Sequence, residues 1–323
     1  MIQAIIQRVL LGIVLIIGVI VLNFFLMQAA PGDVVDAMLA EAGGGDPELA
    51  ARLRQSYGLD QPVYIQLIKY LGQVCIGDLG YSFYYDEPVA NLILSHLPTT
   101  LMLTMSALIL AVLFGTLFGV YAAIKPKGLF SNFVTVFSLF GYATPVFWLG
   151  MIVLLVFALY LPWFPAFGIR SIPEPDHPFE RALDIIHHLV LPTFTLAVLY
   201  LANYSRISRA SMLDVLGADY IRTARTKGLS EYKVIFKHAL KNAALPVVTL
   251  AGLQLAQVFS GAVLVETVFS LPGVGPLLYE SIVRRDFPVI LGVLFGAATT
   301  TIVANIITDL VYKWMDPRIQ SIT

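Results

Sequence analysis

The densest chemistry in this 323-residue sequence lies between Arg206 and Lys241, which holds eight of the twenty basic residues and three acidic ones. Within it runs Asp219-Tyr220-Ile221-Arg222-Thr223-Ala224-Arg225-Thr226-Lys227-Gly228-Leu229-Ser230-Glu231. Ala218, Ile221 and Ala224 recur every three residues and make one narrow, mostly small face on a helix. Gly228 is placed to take the left-handed conformation that ends such a helix. Ser230 suits the N-cap of a second helix, with Glu231 favourable in its first turn. That second helix carries Val234, Ile235, Ala239 and Leu240 as apolar positions, with Lys233, Lys237 and Lys241 four apart in a basic stripe. Two short helices at a glycine corner have two uses. They can lie as a basic amphipathic element among lipid headgroups, or they can form a knob that enters a groove on another protein. A purely lipid-bound helix has no need of a corner and a capped second helix.

Reactive constellations are missing elsewhere in the sequence. It contains no Gly-x-x-x-x-Gly-Lys-[Ser/Thr] loop to cradle a nucleotide phosphate, no His-Glu-x-x-His pair and no Gly-x-Ser-x-Gly nucleophile turn. One cysteine, Cys75, excludes a disulfide framework and a cysteine metal cluster, and a packed thiol is expected for it. His187 and His188 are adjacent, so on a helix they point about 100° apart and are poor partners for one metal; a polar pair at a membrane boundary is expected. A net charge of −1 excludes a globally basic nucleic-acid binder. No catalytic or metal-ligating residues are therefore expected.

The elements that position the basic corner follow from composition. Hydrophobic residues make up 58% of the chain and charged residues 13%, about half the charge of a soluble domain. The charges are sorted. Val9–Gly32, Leu97–Ile124, Gly128–Ile169, Leu189–Ser205, Asn242–Val265 and Phe287–Thr308 are free of them. Crossing ~30 Å of hydrocarbon takes about 20 helical residues, and five of the six runs are long enough. The fourth is short and is expected to extend through Arg206 and Arg209 by snorkelling. Six transmembrane helices are predicted. Gln28-Ala29-Ala30 superficially resembles a signal cleavage site, but the apolar stretch before it exceeds a signal core, so residues 1–32 are expected to be a retained first helix. Alternate connections carry 7 basic and 16 acidic residues on one side, 13 and 5 on the other. The positive side is cytoplasmic, which places both termini inside.

The outer connections carry their own signals. Residues 33–96 form a small helical extracytoplasmic unit, with Pro47–Tyr57 and Pro62–Val74 at helical spacing and Gly43-Gly44-Gly45 as a flexible joint. It is either a lid without chemistry of its own or a docking surface for a soluble partner. Ser171–Pro178, with three prolines, is an irregular loop. Residues 266–285 include Phe269 and Leu271-Pro272-Gly273-Val274-Gly275-Pro276, an apolar outer turn. Such backbone is tolerated at membrane depth only against protein or a water-filled cavity, so the turn is expected to cap a translocation route.

The corner resembles the cytoplasmic loop of binding-protein-dependent ABC import permeases, whose pattern is Glu-Ala-Ala, three residues, Gly, then a later Leu-Pro. Arg222, Thr223 and Ala224 stand at Glu-Ala-Ala, Gly228 at the glycine, and Leu245-Pro246 at the Leu-Pro. The basic first position and the longer glycine-to-proline distance depart from the general pattern and are similar to the peptide/nickel branch. Pro31-Gly32-Asp33, Tyr57-Gly58-Leu59-Asp60-Gln61-Pro62, Gly77-Asp78-Leu79-Gly80, Gly141-Tyr142, Pro145, Phe147-Trp148, Pro272-Gly273-Val274-Gly275, Arg285-Asp286-Phe287-Pro288 and Asp316-Pro317-Arg318-Ile319 resemble the same branch in order and spacing. Together they resemble the larger-loop, B-type permease of dipeptide/oligopeptide systems.

The resemblance implies an all-α type I ABC importer permease fold, with residues 97–323 as permease core and 218–241 as coupling helices, in a bacterial inner membrane. It implies that Tyr220, Arg222, Thr223, Ala224, Lys227, Gly228, Leu229 and Ser230 meet an ATPase, and that Phe269, Pro272, Gly273 and Gly275 form an outer gate. The implied partners are a homologous second permease subunit, two ATPase subunits that bind ATP and Mg, an extracytoplasmic binding protein and the bilayer. No cofactor is implied in this chain. Peptides are the default substrate, while nickel, metallophore, glutathione and sugar importers share the permease type. Span centres without ionisable groups disfavour an ion-coupled transporter. A self-sufficient channel and a non-transporting assembly protein are the remaining classes.

Overall fold

The computed structural model describes residues 2–29, 35–36, 39, 44, 46–256 and 262–315. Pro31-Gly32-Asp33, Gly43, Gly45 and Asp316-Pro317-Arg318-Ile319 lie outside the described residues. Four helices are each long and apolar enough to cross a membrane. These are α1 (Ile2–Ala29), α4 (Val89–Ile124), α7 (Pro178–Leu216) and α13 (Phe287–Met315). Two bent pairs bring the number to six if each pair is one span. The first is α5 (Leu129–Ala143) with α6 (Val146–Leu154), which continues as π-helix to Tyr160. The second is a π-helix over Lys233–Ala239 with α9 (Leu240–Ala243), followed by α10 (Leu245–Ala256).

The bend in the first pair is 102°, so Gly128–Ile169 is not one straight span. Pro145 has no N–H to donate and drives Thr144 out of helical backbone, to φ −82°, ψ 125°. The second pair bends by 47° and starts among the lysines, before the charge-free run begins. The fourth run behaves as its charges suggested. At 39 residues α7 is about 58 Å long, and it continues through both arginines. Arg206 lies 5.4 Å over the Tyr142 ring, and Arg209 Nε donates to Ser131 Oγ at 3.0 Å.

The described residues form two compact units. In Met1–His96 with Leu277–Ile302, α2 (Pro47–Tyr57) has Asp46 as N-cap, Pro47 at its first position and Gly58 at φ +70° just after its end. In α3 (Val63–Cys75) Val74 takes the inward position, and Cys75, one residue further round, is exposed rather than packed. A two-stranded hairpin pairs β1 (Tyr81–Ser82) with β2 (Glu87–Pro88). Its Ser82 hydroxyl donates to Asp286, whose other oxygen accepts from Val289 N and so caps α13. Tyr85 donates to Glu280 Oε2 at 3.0 Å. Burial and that bond push its phenol up to about 12, so it remains a donor at any physiological pH. Asn23 of α1 donates to Leu291 O of α13 at 3.1 Å while buried.

In Leu97–Pro276 with Val303–Thr323, α7 is the axis of the packing. Three apolar clusters lie along its length. Leu189, Leu191 and Leu196 pack with Leu103, Val153 and Phe269; Tyr204 packs with Leu108, Ala111 and Val247; and Met212 packs with Val120, Ala123 and the basic corner. Small residues let the backbones approach, as membrane helices require in the absence of a hydrophobic drive between them. At Gly115 an added Cβ would sit 2.6 Å from Tyr204 Cβ, and at Gly119 2.6 Å from Ser205 O.

Candidate functional site

The basic corner folds as two helical pieces joined at Gly228. The first, α8 (Asp219–Thr226), ends in a closed motif. Gly228 N donates to Arg225 O at 2.9 Å and Leu229 N to Ala224 O at 3.4 Å, with Gly228 at φ +74°. That is the paired bonding of a helix ended by a left-handed glycine. Ser230 precedes the second piece, and its carbonyl accepts from Val234 N at 3.0 Å. The second piece departs from a regular α-helix, because Lys233–Ala239 is wound with i→i+5 bonds. Arg225 reaches across the corner to Glu231, with Nε and Nη2 at 2.9 and 3.4 Å from its two carboxylate oxygens. Both side chains are substantially exposed, so the pair holds the corner's shape with less than about 1 kcal/mol.

The faces of the corner are divided. Ile221 and Ala224 are buried with Val234, Ile235 and Ala239 against Val120, Ala123 and Met212. The small face thus serves as the corner's seat on its own spans, on the ends of α4 and α7. Leu229 packs beside it, half-buried. Tyr220, Arg222, Thr223, Lys227, Gly228 and Ser230 are not buried, and Lys233, Lys237 and Lys241 likewise face outward. The Tyr220 hydroxyl accepts from Asn242 Nδ2 at 2.8 Å, which fixes the ring. The exterior is therefore a firm, cationic, hydroxyl-bearing edge around an open glycine, seated on two membrane helices.

The outer turn is built around a residue that charge-free runs treat only as a border. Glu266, in α11 (Val263–Val268), has no exposed surface. Its Oε1 accepts from the Thr100 hydroxyl at 2.6 Å, and its Oε2 from Gly275 N at 3.0 Å. Thr100 Oγ1 in turn accepts from Val274 N at 2.9 Å. The carboxyl group so meets the first turn of α12 (Val274–Arg284), where a negative charge is favoured. Phe269 and Leu271 are buried, Gly273 and Gly275 are buried beside the carboxyl, and Pro272 is exposed. The turn rests on protein, bonded to Thr100 and the Glu266 carboxyl group. A signal was present in the sequence: two glycines, seven and nine residues after a lone acid, allow backbone to approach it closely. His187 Nε2 meets Trp163 O at 3.0 Å and His188 Nδ1 meets Asp184 O at 2.8 Å. Among the described residues no three His, Cys, Asp or Glu side chains gather as a metal site.

Four to six helical stretches long and apolar enough to cross a membrane, with an exposed basic corner on one connection and a protein-backed turn on another, place the chain among multi-pass membrane proteins. Residues 115–321 match the family model of the binding-protein-dependent transport system inner membrane component, and residues 1–104 match that of the N-terminal part of such components. The chain belongs to this family and has its type I ABC permease fold. It is 40% identical over 321 residues to the oligopeptide transport system permease protein AppB of Bacillus subtilis, covering 98% of each chain. It is 41% identical to the di/tripeptide transport system permease protein DppB of Pseudomonas aeruginosa, over 94% of each. It is 36% identical to the dipeptide transport system permease protein DppB of Alkalihalophilus pseudofirmus, over 97% of this chain and 98% of that one.

Proposed function

We propose that this chain is the membrane-spanning, non-catalytic permease subunit of an ATP-driven importer of di- and oligopeptides. The observation that carries the substrate class is whole-length similarity to permeases named for oligopeptides, di/tripeptides and dipeptides. The chain pairs with a second, homologous permease subunit, and two separate ATPase subunits bind ATP and magnesium. Tyr220, Arg222, Thr223, Lys227, Gly228 and Ser230 meet the ATPase, while Ala224 and Leu229 anchor the corner. ATP-driven closure shifts residues 218–241, and the cluster of Ile221, Ala224, Met212, Val120 and Ala123 passes that shift to α4 and α7. Residues 33–96 and the 266–285 turn, with Phe269, Pro272, Gly273 and Gly275, receive substrate from an extracytoplasmic binding protein.

Deleting this chain from its native cell tests the substrate class. Uptake of labelled di- to pentapeptides should fall about tenfold or more and return when the chain is restored. Unchanged peptide uptake, with loss of nickel or glutathione uptake instead, would remove peptides from the proposal.

A further inference from the structure

We propose that Glu266 is a positioning residue for transport: its buried carboxyl group moulds the outer turn into the shape that engages the loaded binding protein. This rests on the assignment of residues 269–275 to that encounter. An acid at 0% exposure is costly to keep unless its oxygens are satisfied. Here two bonds to the Glu266 carboxyl group serve the turn. Thr100 donates to Oε1 and holds Val274 N through the same hydroxyl, and Gly275 N donates to Oε2. The backbone of Glu266 adds to this, because its carbonyl accepts from Leu271 N at 2.8 Å. One residue thereby closes the turn from both ends, at Leu271 and at Gly275.

The glycines complete the fit. A Cβ on Gly273 would lie 2.3 Å from Glu266 Cδ, and one on Gly275 2.6 Å from Oε2. The backbone is wrapped onto the carboxyl group with no room for a side chain. Ser270, a non-glycine residue at φ +51°, shows how tightly the chain reverses. Phe269 O accepts from Gly168 N at 3.0 Å, so the turn also braces the segment after α6. A turn held this way keeps Pro272 exposed at its tip in one position. Without the carboxyl group Gly275 N loses its acceptor, Thr100 loses the bond that aims its hydroxyl at Val274 N, and the tip loses its form.

The test uses the assembled complex in proteoliposomes: this chain, its second permease subunit, the ATPases and the peptide-loaded binding protein. Glu266→Ala should leave ATPase activity without binding protein within about twofold of wild type. It should raise the binding-protein concentration for half-maximal stimulation by about tenfold or more, the scale of losing buried hydrogen bonds. Glu266→Gln, which keeps the shape and one acceptor, should recover most of that loss. Gly273→Ala should match Glu266→Ala, and combining the two should add little, since the alanine at 266 vacates the space the new methyl needs. Amide exchange at Val274 and Gly275 should accelerate in Glu266→Ala. If Glu266→Ala does not assemble, Thr100→Val decides: stimulation should weaken several-fold, and Thr100→Ser should restore it. An unshifted half-maximal concentration in Glu266→Ala or Thr100→Val, or unchanged exchange at 274–275, overturns the role given to Glu266. A wild-type complex that ignores its binding protein overturns the importer assignment instead, and the exchange measurement still reports on the turn.

Discussion

Replacing Gly228 with valine is expected to cut peptide uptake about tenfold or more while the complex still assembles and hydrolyses ATP. The reason is local. Gly228 sits at φ +74°, a conformation that costs an ordinary L-residue roughly 1–2 kcal/mol and a β-branched one more. No atom lies within 4 Å of where its Cβ would be, so the penalty is conformational and not steric crowding. To escape it the corner must give up the bonds from Gly228 N to Arg225 O and from Leu229 N to Ala224 O. Leu229 then leaves its cluster, and the edge carrying Arg222 and Lys227 changes its angle to α4 and α7. Gly228→Asn is the informative control, because asparagine tolerates left-handed backbone. It should transport within about threefold of wild type. Normal uptake in Gly228→Val, measured with labelled peptide, would remove the corner from the coupling route.

Gly119→Leu is expected to have the largest effect on the fold itself, lowering the amount of folded, assembled chain severely. A Cβ at Gly119 would meet Ser205 O and Ser208 Cβ at 2.6 Å and Arg209 N at 2.7 Å. Two of those atoms are backbone of α7, which cannot turn aside as a flexible side chain would. Overpacking a rigid seam costs about 1–3 kcal/mol, and leucine brings three further carbons into it. Thermal unfolding of the purified complex should show a drop of many degrees, or no complex at all. Gly72→Ala, where nothing lies within 4 Å of the new methyl, should be close to neutral. An intact Gly119→Leu complex would contradict the packing of α4 on α7.

Much of this organisation is legible in the residues because membrane burial leaves a coarse, strong mark. The charge-free runs contain the apolar parts of α1, α4 and α13, and the basic connection marks the corner at Gly228. The glycine corner is legible for a sharper reason: Gly228, set between two apolar-faced helical segments, supplies a left-handed stop. Proline positions are not legible in the same way. Pro98 lies inside α4 and Pro192 inside α7 without ending either helix, whereas Pro145 stands at a 102° bend. Whether neighbouring helices re-satisfy the freed backbone decides between these outcomes, and that depends on tertiary packing. Periodicity likewise finds the Ala218, Ile221 and Ala224 face without saying what it meets. A small face suits a partner's groove or the protein's own core equally well, and Ile221 and Ala224 take the core. Glu266 was hidden by its position, since a lone acid at the end of an apolar run looks like the edge of the membrane. Only the fold brings Thr100 and the backbone of residues 273–275 to it.

Peptide flux into proteoliposomes that hold this chain, its second permease subunit and the ATPases tests the central claim most directly. Uptake of a labelled oligopeptide should require both ATP on the ATPase side and the loaded binding protein on the other, and omitting either should reduce it to background. Peptide flux that proceeds without ATP, or without the binding protein, would show a self-sufficient pathway and contradict the assignment of this chain to an ATP-driven importer.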